Sequence, residues 1–209
     1  MHSGRPGRVH AMEFRDVVRH RRMVRRFDQR PVPREVTDRV LDAGRRAPSA
    51  GFSQGLELLV LDTPETVAAF WETTRDPEFG WEHDLAVGPT TLVLPLPDPA
   101  RYTERYSQPD KVRFGMDQQA NWPVRFWEID AAMAAMLMLL AAVEEGLGGW
   151  YFGISHGERP LLDGLGVPGG LRPIGVLGLG YRADDEEPSG SWMTRPRRPF
   201  DEQVHRNGW

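Results

Sequence analysis

The chain has 209 residues, of which 40% are apolar, and its formal net charge is −4. This size and composition indicate one globular domain, and the small net charge excludes a general electrostatic attraction to nucleic acid or to an anionic membrane. Cysteine is absent, which excludes disulfides and thiolate metal sites and fits a reducing cytoplasm, where we expect the protein to reside.

The N-terminal residues 1–11 lack the apolar run of a signal peptide and are predicted to be a disordered extension. Met12 is then a candidate start, and residues 12–209 are predicted to form a single domain. Nine arginines between Arg5 and Arg30 face three acidic residues, so a basic arm for nucleic acid is an alternative interpretation. The acidic remainder of the chain argues against it, and we expect neither a nucleic-acid partner nor a membrane.

Apolar periodicity divides the first half of the chain into helices and strands. It predicts helices over 12–22, 33–46 and 64–73, and strands over 56–61 and 91–96. Proline cannot donate a hydrogen bond to a neighbouring strand. Either the second strand therefore lies at an edge of the sheet, or Pro95 and Pro97 lie at an end of that strand.

The basic run Arg21-Arg22-Met23-Val24-Arg25-Arg26 follows the first helix and is predicted to be extended. Alternate side chains of extended backbone point to the same side, so Arg21, Met23 and Arg25 would project together. Two guanidinium groups on one side repel each other unless they share an anion. The run is therefore either a solvated basic segment or an anion site.

The segment 47–55 combines small residues with flanking proline and glycine, including Pro48, Ser49, Ala50 and Ser53. Such a loop lets backbone amides approach a ligand, although a plain turn is the simpler interpretation. A second irregular stretch, an excursion over about 98–126, carries five aromatic residues. They are Tyr102, Tyr106, Phe114, Trp122 and Phe126. These rings either stack on a flat ligand or cover the end of the core, and covering is favoured.

The most apolar stretch begins at Asp130, a good helix N-cap, and ends near Gly146, which suits the left-handed position after a helix. Its core of about 14 apolar residues is too short for a bilayer, which requires roughly 20. Since the helix is apolar all round, it is predicted to be buried on all sides. Alanines at 131, 132, 134 and 135 would let another backbone approach closely, for example a partner subunit's copy.

The rest of the chain is predicted to form a strand over 150–154 with a glycine inside it, a helix over 158–165 and a buried strand over 173–181. An acidic surface loop over 184–191 precedes a second basic cluster with Arg195 and Arg197. The six histidines are scattered and are expected at the surface rather than at a metal. The sequence contains no motif for nucleophilic or metal catalysis, so the chemistry has to come from a cofactor. Arginine is well suited to bind the phosphate of such a cofactor.

Four segments in order resemble the nitroreductase family, whose members are FMN-dependent NAD(P)H oxidoreductases. They are Arg21 to Asp28, Ala47 to Gln54, the helix from Asp130 to Gly148, and Arg195-x-Arg197-x-Pro199. The resemblance implies an α+β fold, a sandwich with a mostly antiparallel central sheet flanked by helices. It also implies a homodimer built through long central helices, in which a C-terminal segment reaches over the partner as in a domain swap.

The same resemblance implies the roles of individual residues. Arg21, Arg195 and Arg197 would hold the FMN phosphate, and Arg25 would meet the flavin pyrimidine edge and stabilise the reduced form. Pro48, Ser49 and Ala50 would lie against the isoalloxazine of the partner subunit. Backbone amides of Phe152, Gly153 and Ile154 would face N5 and O4 of the flavin. Arg22, Met23 and Ser53 complete the candidate cofactor-binding set, with no catalytic side chain and no metal.

Two departures affect the expected pocket. Met23 stands where the family usually has serine, and Phe52 and Gly55 lie where asparagine and proline–tryptophan are common. The leading hypothesis is a ping-pong cycle in which NAD(P)H reduces FMN and a flat electron-poor acceptor, a nitroaromatic or a quinone, is reduced next. A flavin storage or sensor protein, or a specialised reaction such as dehalogenation or flavin fragmentation, is the alternative.

Overall fold

The computed structural model describes residues 12–76, 87–188 and 190–209. The predicted N-terminal extension 1–11, together with residues 77–86 and 189, lies outside the described residues. Within them, five strands form one sheet: β1 Phe27–Asp28, β2 Leu56–Leu61, β3 Thr91–Pro97, β4 Gly148–Phe152 and β5 Val176–Arg182. The helices are α1 Phe14–His20, α2 Arg34–Arg45, α3 Pro64–Thr74, α4 Pro99–Tyr106, α5 Phe126–Glu144, α6 Glu158–Gly164 and α7 Phe200–Gln203.

The sheet is antiparallel throughout its strand pairs, as predicted, and runs in the order β1-β5-β3-β2, with β4 also paired to β5. Alternating side chains of β3 point to opposite faces. Val93 packs into a core with α2 and α5, whereas Leu92 and Leu94 pack into a second core with α3 and α6. The sheet is therefore covered by helices on both faces.

The contact between α2 and α5 is close because α2 carries Gly44 at the crossing. A Cβ on Gly44 would lie 2.6 Å from Cγ of Met138 and 3.4 Å from the carbonyl oxygen of Ala134. Ala131, Ala134 and Ala135 are buried in the same chain. The close approach that the alanines permit is thus made to α2, and only the exposed Ala132 remains available to a partner.

Helix α5 differs from its prediction at the start and in its burial. It begins at Phe126, with Arg125 as the N-cap residue, so Asp130 lies inside the helix and does not cap it. Ile129, Met133 and Met136 are exposed, so the prediction of burial on all sides is wrong for the single chain. Helix α5 is long and apolar enough to cross a membrane, but the core helices of soluble proteins meet the same criterion. The buried side of α5 packs against α2 and the sheet.

Strand β3 is not an edge strand, because it pairs with β2 and β5. The alternative holds instead: Pro95 and Pro97 lie at its end, beyond the residues paired with β5. The Pro95 carbonyl accepts from the amide of Ile174 at 3.1 Å, but its ring nitrogen cannot donate in return. The carbonyl of Ile174 accepts from the hydroxyl of Tyr151 at 2.6 Å, which satisfies it.

The excursion 98–126 is more regular than predicted, since it contains α4 and two short 3-10 helices, Val112–Phe114 and Gln119–Asn121. Four of its five aromatic residues join a third core cluster, in which Tyr102 and Trp122 are buried against Trp127 of α5, whereas Phe114 is exposed. The rings pack edge-on at centroid distances of 5.7 to 6.1 Å. Their observed role is to cover this end of α5, as favoured from the sequence.

Candidate functional site

The basic run is held against β4 by its backbone and by Met23. The amide of Val24 donates to the carbonyl of Gly149 at 3.0 Å, and Met23 forms a parallel bridge with the same residue. Sδ of Met23 accepts from the amide of Tyr151 at 3.4 Å, and its side chain packs against both main cores. The Met23 side chain therefore contributes to the packing between the basic run and β4.

Arg21 differs from the other partly exposed arginines of the described residues. Arg22, Arg105 and Arg159 each form an ion pair with a carboxylate. Arg21 is also only partly exposed, yet no carboxylate within the described ranges pairs with it. A guanidinium in a partly shielded position gains most from an anion, so Arg21 is suited to hold one.

Arg22 and Arg26 attach the run to the segment after β5. Nη2 of Arg22 donates to the buried Glu186 at 2.5 Å, and Nη2 of Arg26 donates to Asp185 at 2.9 Å. Nη1 of Arg22 is buried without a hydrogen-bond partner among the described residues. Glu186 thus corrects the prediction that the acidic loop lies wholly at the surface, because its carboxylate is buried against the basic run.

The C-terminal segment starts beside Arg25. Nη1 of Arg25 lies 3.5 Å from the position that a Cβ on Gly190 would occupy, and Cδ1 of Trp192 lies 3.6 Å from the same point. The segment then turns through the 3-10 helix Ser191–Met193 to Arg195 and Arg197, whose side chains are exposed. The structure therefore places Gly190 and Trp192, at the start of the C-terminal segment, beside the basic run.

The loop 47–55 is held by a buried carboxylate of α5. Oδ2 of Asp130 accepts from the amide of Ala50 at 2.8 Å and from the hydroxyl of Tyr102 at 2.8 Å. Within the loop, Oγ of Ser53 donates to the carbonyl of Ala50 at 2.6 Å, and Oγ of Ser49 accepts from the amide of Gln54 at 3.0 Å. Ser49 and Ser53 therefore shape the loop, while Pro48 is exposed.

Helix α4 provides a second support for the loop. Nε of Arg105 donates to the carbonyl of Gly51 at 2.9 Å, and its two terminal nitrogens donate to Asp110 at 2.8 and 2.7 Å. The hydrogen bonds from Arg105 lower the pKa of Asp110 from its usual 3.8 to about 2. Burial, and next the hydrogen bond to Asp130, raise the pKa of Tyr102 far above its usual range, so this phenol stays a neutral donor.

Strand β4 ends at Phe152, so Gly153 follows the strand instead of lying inside it. The Phe152 ring stacks on Trp71 at a centroid distance of 5.4 Å and packs at 4.4 Å from Trp150. Gly153 is exposed, whereas Ile154 packs partly into the core. This arrangement fixes the strand end and leaves the backbone of Gly153 accessible.

The candidate residues thus fall into two groups in a single chain. The basic run, β4 and the start of the C-terminal segment lie together, whereas the described hydrogen bonds attach the loop 47–55 to α4 and α5. Four residues support the site without having been predicted to do so: Tyr102, Arg105, Asp130 and Glu186. Asp130 offered one signal, since a carboxylate inside an otherwise apolar helix needs a buried partner. Within the described ranges, no three or more histidine, aspartate or glutamate side chains form a group able to hold a metal ion.

Comparisons with known proteins agree with this architecture. The family model described as the nitroreductase family matches residues 18–181. A candidate NADH dehydrogenase/NAD(P)H nitroreductase of Methanothermobacter thermautotrophicus is 26% identical over 186 residues, covering 86% of this chain and 82% of that protein. An NADPH-dependent oxidoreductase of Staphylococcus aureus is 23% identical, covering 92% of this chain and 72% of that protein.

Two solved structures show the same fold. A nitroreductase family protein of Streptococcus pneumoniae superposes with a TM-score of 0.72 at 16% identity, covering 93% of this chain and all of that one. A candidate nitroreductase of Exiguobacterium sibiricum, solved in complex with FMN, superposes with a TM-score of 0.68 at 20% identity, covering 94% and 98%. These likenesses confirm the predicted α+β sandwich. The chain belongs to the nitroreductase family of flavin-dependent oxidoreductases.

Proposed function

We propose that this protein is a homodimeric, FMN-dependent NAD(P)H oxidoreductase that reduces flat, electron-poor acceptors such as nitroaromatics or quinones in a ping-pong cycle. The observation that carries the proposal is the family match over residues 18–181, which spans the basic run, the loop 47–55 and β4. We place the protein in the cytoplasm, in keeping with its lack of cysteine.

The residues present fit FMN. Arg21 is partly shielded and lacks a carboxylate among the described residues, which suits it to a phosphate. Arg195 and Arg197 belong to the segment that starts beside Arg25, and their exposed side chains would add positive charge. Bound FMN would supply the redox chemistry, taking a hydride from NAD(P)H and returning two electrons to the acceptor.

The protein would supply position and charge. Arg25 would place its positive charge at the flavin edge and so favour the reduced, anionic form. Arg22 orients the run through Glu186. The exposed backbone at Gly153, fixed by the stacked ring of Phe152, would donate a hydrogen bond to the flavin and tune hydride acceptance without a side-chain base.

The second subunit would complete the site. Ile129, Met133 and Met136 form an exposed apolar stripe on α5, and large apolar stripes of this kind are usually covered. Ile129 directly precedes Asp130, which holds Ala50. Pairing of two α5 stripes would therefore bring the loop 47–55 of one subunit to the seam, where Pro48, Ser49 and Ala50 would reach the partner's flavin.

Anaerobic stopped-flow mixing of the FMN-loaded protein with NADH and with NADPH tests the proposal. We expect bleaching of the flavin absorbance on the first mix and its recovery when a quinone is added in a second mix. A storage or sensor protein would bind FMN but would not be bleached by either nucleotide. That outcome would refute an oxidoreductase cycle and favour the binding function.

A further inference from the structure

The loop 49–54 contains an unusual series of left-handed backbone conformations. Gly51, Phe52 and Gln54 have φ values of 62°, 56° and 51°. Glycine adopts such values freely, but in phenylalanine the Cβ atom crowds the backbone, so Phe52 is strained. Strain of this kind persists only where the surroundings impose the conformation, and it concentrates at functional sites.

The surroundings of this loop do impose its conformation. The Ala50 amide is held by Asp130 and the Gly51 carbonyl by Arg105. Bonds within the loop close it further, since the amide of Phe52 donates to the carbonyl of Ser49 at 2.8 Å. Gly51 itself leaves no room for adjustment, because a Cβ there would lie 2.7 Å from the ring of Tyr106.

The contacts that hold the loop leave the side chain of Phe52 exposed. Phe52 is 72% exposed, so its aromatic face gains nothing from the core of the chain. The loop instead presents the ring outward in a fixed direction, beside the residues proposed to face the partner's flavin.

We propose that Phe52 determines acceptor specificity by stacking its ring on the flat acceptor. The inference rests on the proposed function and deepens it by naming the residue that selects planar, electron-poor aromatic acceptors. The electron-rich face of phenylalanine attracts an electron-poor ring in offset stacking. Small or non-planar acceptors gain nothing from this contact.

Replacement of Phe52 by asparagine separates this role from a structural one. Asparagine tolerates the left-handed conformation, so Phe52→Asn relieves strain and should raise the melting temperature by about 2–4 °C. Stacking is lost at the same time. We expect the dissociation constant of 4-nitrobenzoate for the oxidised FMN-loaded protein, measured by calorimetry, to rise about three- to tenfold.

Kinetics supply the second readout. The kcat/KM for 1,4-naphthoquinone should fall about three- to tenfold, while that for ferricyanide, which accepts electrons without stacking, stays unchanged. FMN retention and dimer mass should also be unchanged. Phe14→Asn is the matched control, because Phe14 is 71% exposed on α1, and it should leave the quinone-to-ferricyanide ratio unaltered.

Three outcomes would overturn the role of Phe52. An unchanged nitrobenzoate affinity and quinone-to-ferricyanide ratio would show that the ring does not contact the acceptor. Dissociation of the Phe52→Asn dimer would show that the partner subunit covers the ring. Failure of NADH and NADPH to reduce the wild-type flavin would refute the proposed function and this role with it. The two failures can be told apart, because the quinone-to-ferricyanide ratio can be measured only if the nucleotide reduces the flavin.

Discussion

The arginines of this chain differ in what balances their charge. Some of those near the candidate site are paired within the chain, as Arg22 is with Glu186 and Arg26 with Asp185. Arg197 has no such carboxylate within the described residues, whereas the adjacent Arg198 lies 3.8 Å from Glu202 and donates to its carbonyl. An exposed arginine without an internal partner can direct its full charge to a ligand.

This contrast gives a matched pair of substitutions. Arg197→Ala should weaken FMN binding by about 2 kcal/mol, or roughly 30-fold in the dissociation constant, because a charge-assisted phosphate contact is removed. Arg198→Ala should change the constant less than threefold, by roughly 0.5 kcal/mol. Fluorescence titration of the apoprotein with FMN measures both constants. Equal constants for the two variants would show that Arg197 is not at the phosphate.

At the scale of elements, α4 and α5 act together to set the loop 47–55. A buried carboxylate costs free energy unless hydrogen bonds satisfy it, and Asp130 receives bonds from Ala50 and Tyr102. Tyr102 also packs edge-on against Trp122 and Trp127, so its hydroxyl is fixed by its ring. The aromatic cluster that covers the end of α5 thereby holds the loop.

Removal of the Tyr102 hydroxyl tests this coupling. Tyr102→Phe keeps the ring contacts but leaves Asp130 one donor short, which should lower the free energy of unfolding by about 1–3 kcal/mol. Tyr106→Phe is the control, since the structure gives its hydroxyl no hydrogen bond within the described residues, and it should cost less than about 0.5 kcal/mol. Urea unfolding measures both. Similar losses in the two variants would contradict the coupling.

The same bond predicts the alkaline behaviour of the fold. The pKa of Tyr102 is raised in the folded state above its ordinary value of 10.0, so the folded protein keeps the phenol proton that the unfolded chain releases. This contribution to stability is complete below about pH 10 and is lost progressively above it. In Tyr102→Phe the decline above pH 10 should be shallower, as unfolding curves at increasing pH would show.

At the scale of the whole molecule, α5 has two sides with different partners. Ala135 is 4% exposed and packs in the core with α2, whereas Ala132 lies on the exposed side together with Ile129 and Met133. The inward side stabilises the subunit. The outward side is an unpaired apolar surface in the single chain, which the proposed dimer would cover.

Aspartate at these two positions should therefore have different effects. Ala135→Asp buries an unpaired charge and should cost more than about 3 kcal/mol, giving a destabilised or unfolded protein. Ala132→Asp should keep the circular dichroism of the folded subunit but sediment as a monomer. Sedimentation and thermal melting decide both. A stable Ala135→Asp dimer with the wild-type melting temperature would refute the core position, and a dimeric Ala132→Asp would refute the α5 interface.

Elements with strong local signals could be predicted from the sequence. Apolar periodicity predicted the strand 56–61 at the observed bounds and placed the helix 33–46 within one residue of α2 at either end. Gly146 adopts the left-handed conformation expected after α5. The four motifs identified the family that the comparisons confirmed, because each motif is a short run of residues readable without its partners.

Contacts between residues far apart in the sequence depend on the complete fold. In the sequence Asp130 resembles a helix cap, but the helix begins at Phe126, and the partners of Asp130 lie 80 and 28 residues away. Glu186 resembled a surface residue, but it is buried against Arg22, 164 residues earlier. Local patterns report the backbone preferences of neighbouring residues, whereas a buried carboxylate is stable only where the fold brings its donors, and no local pattern encodes that position.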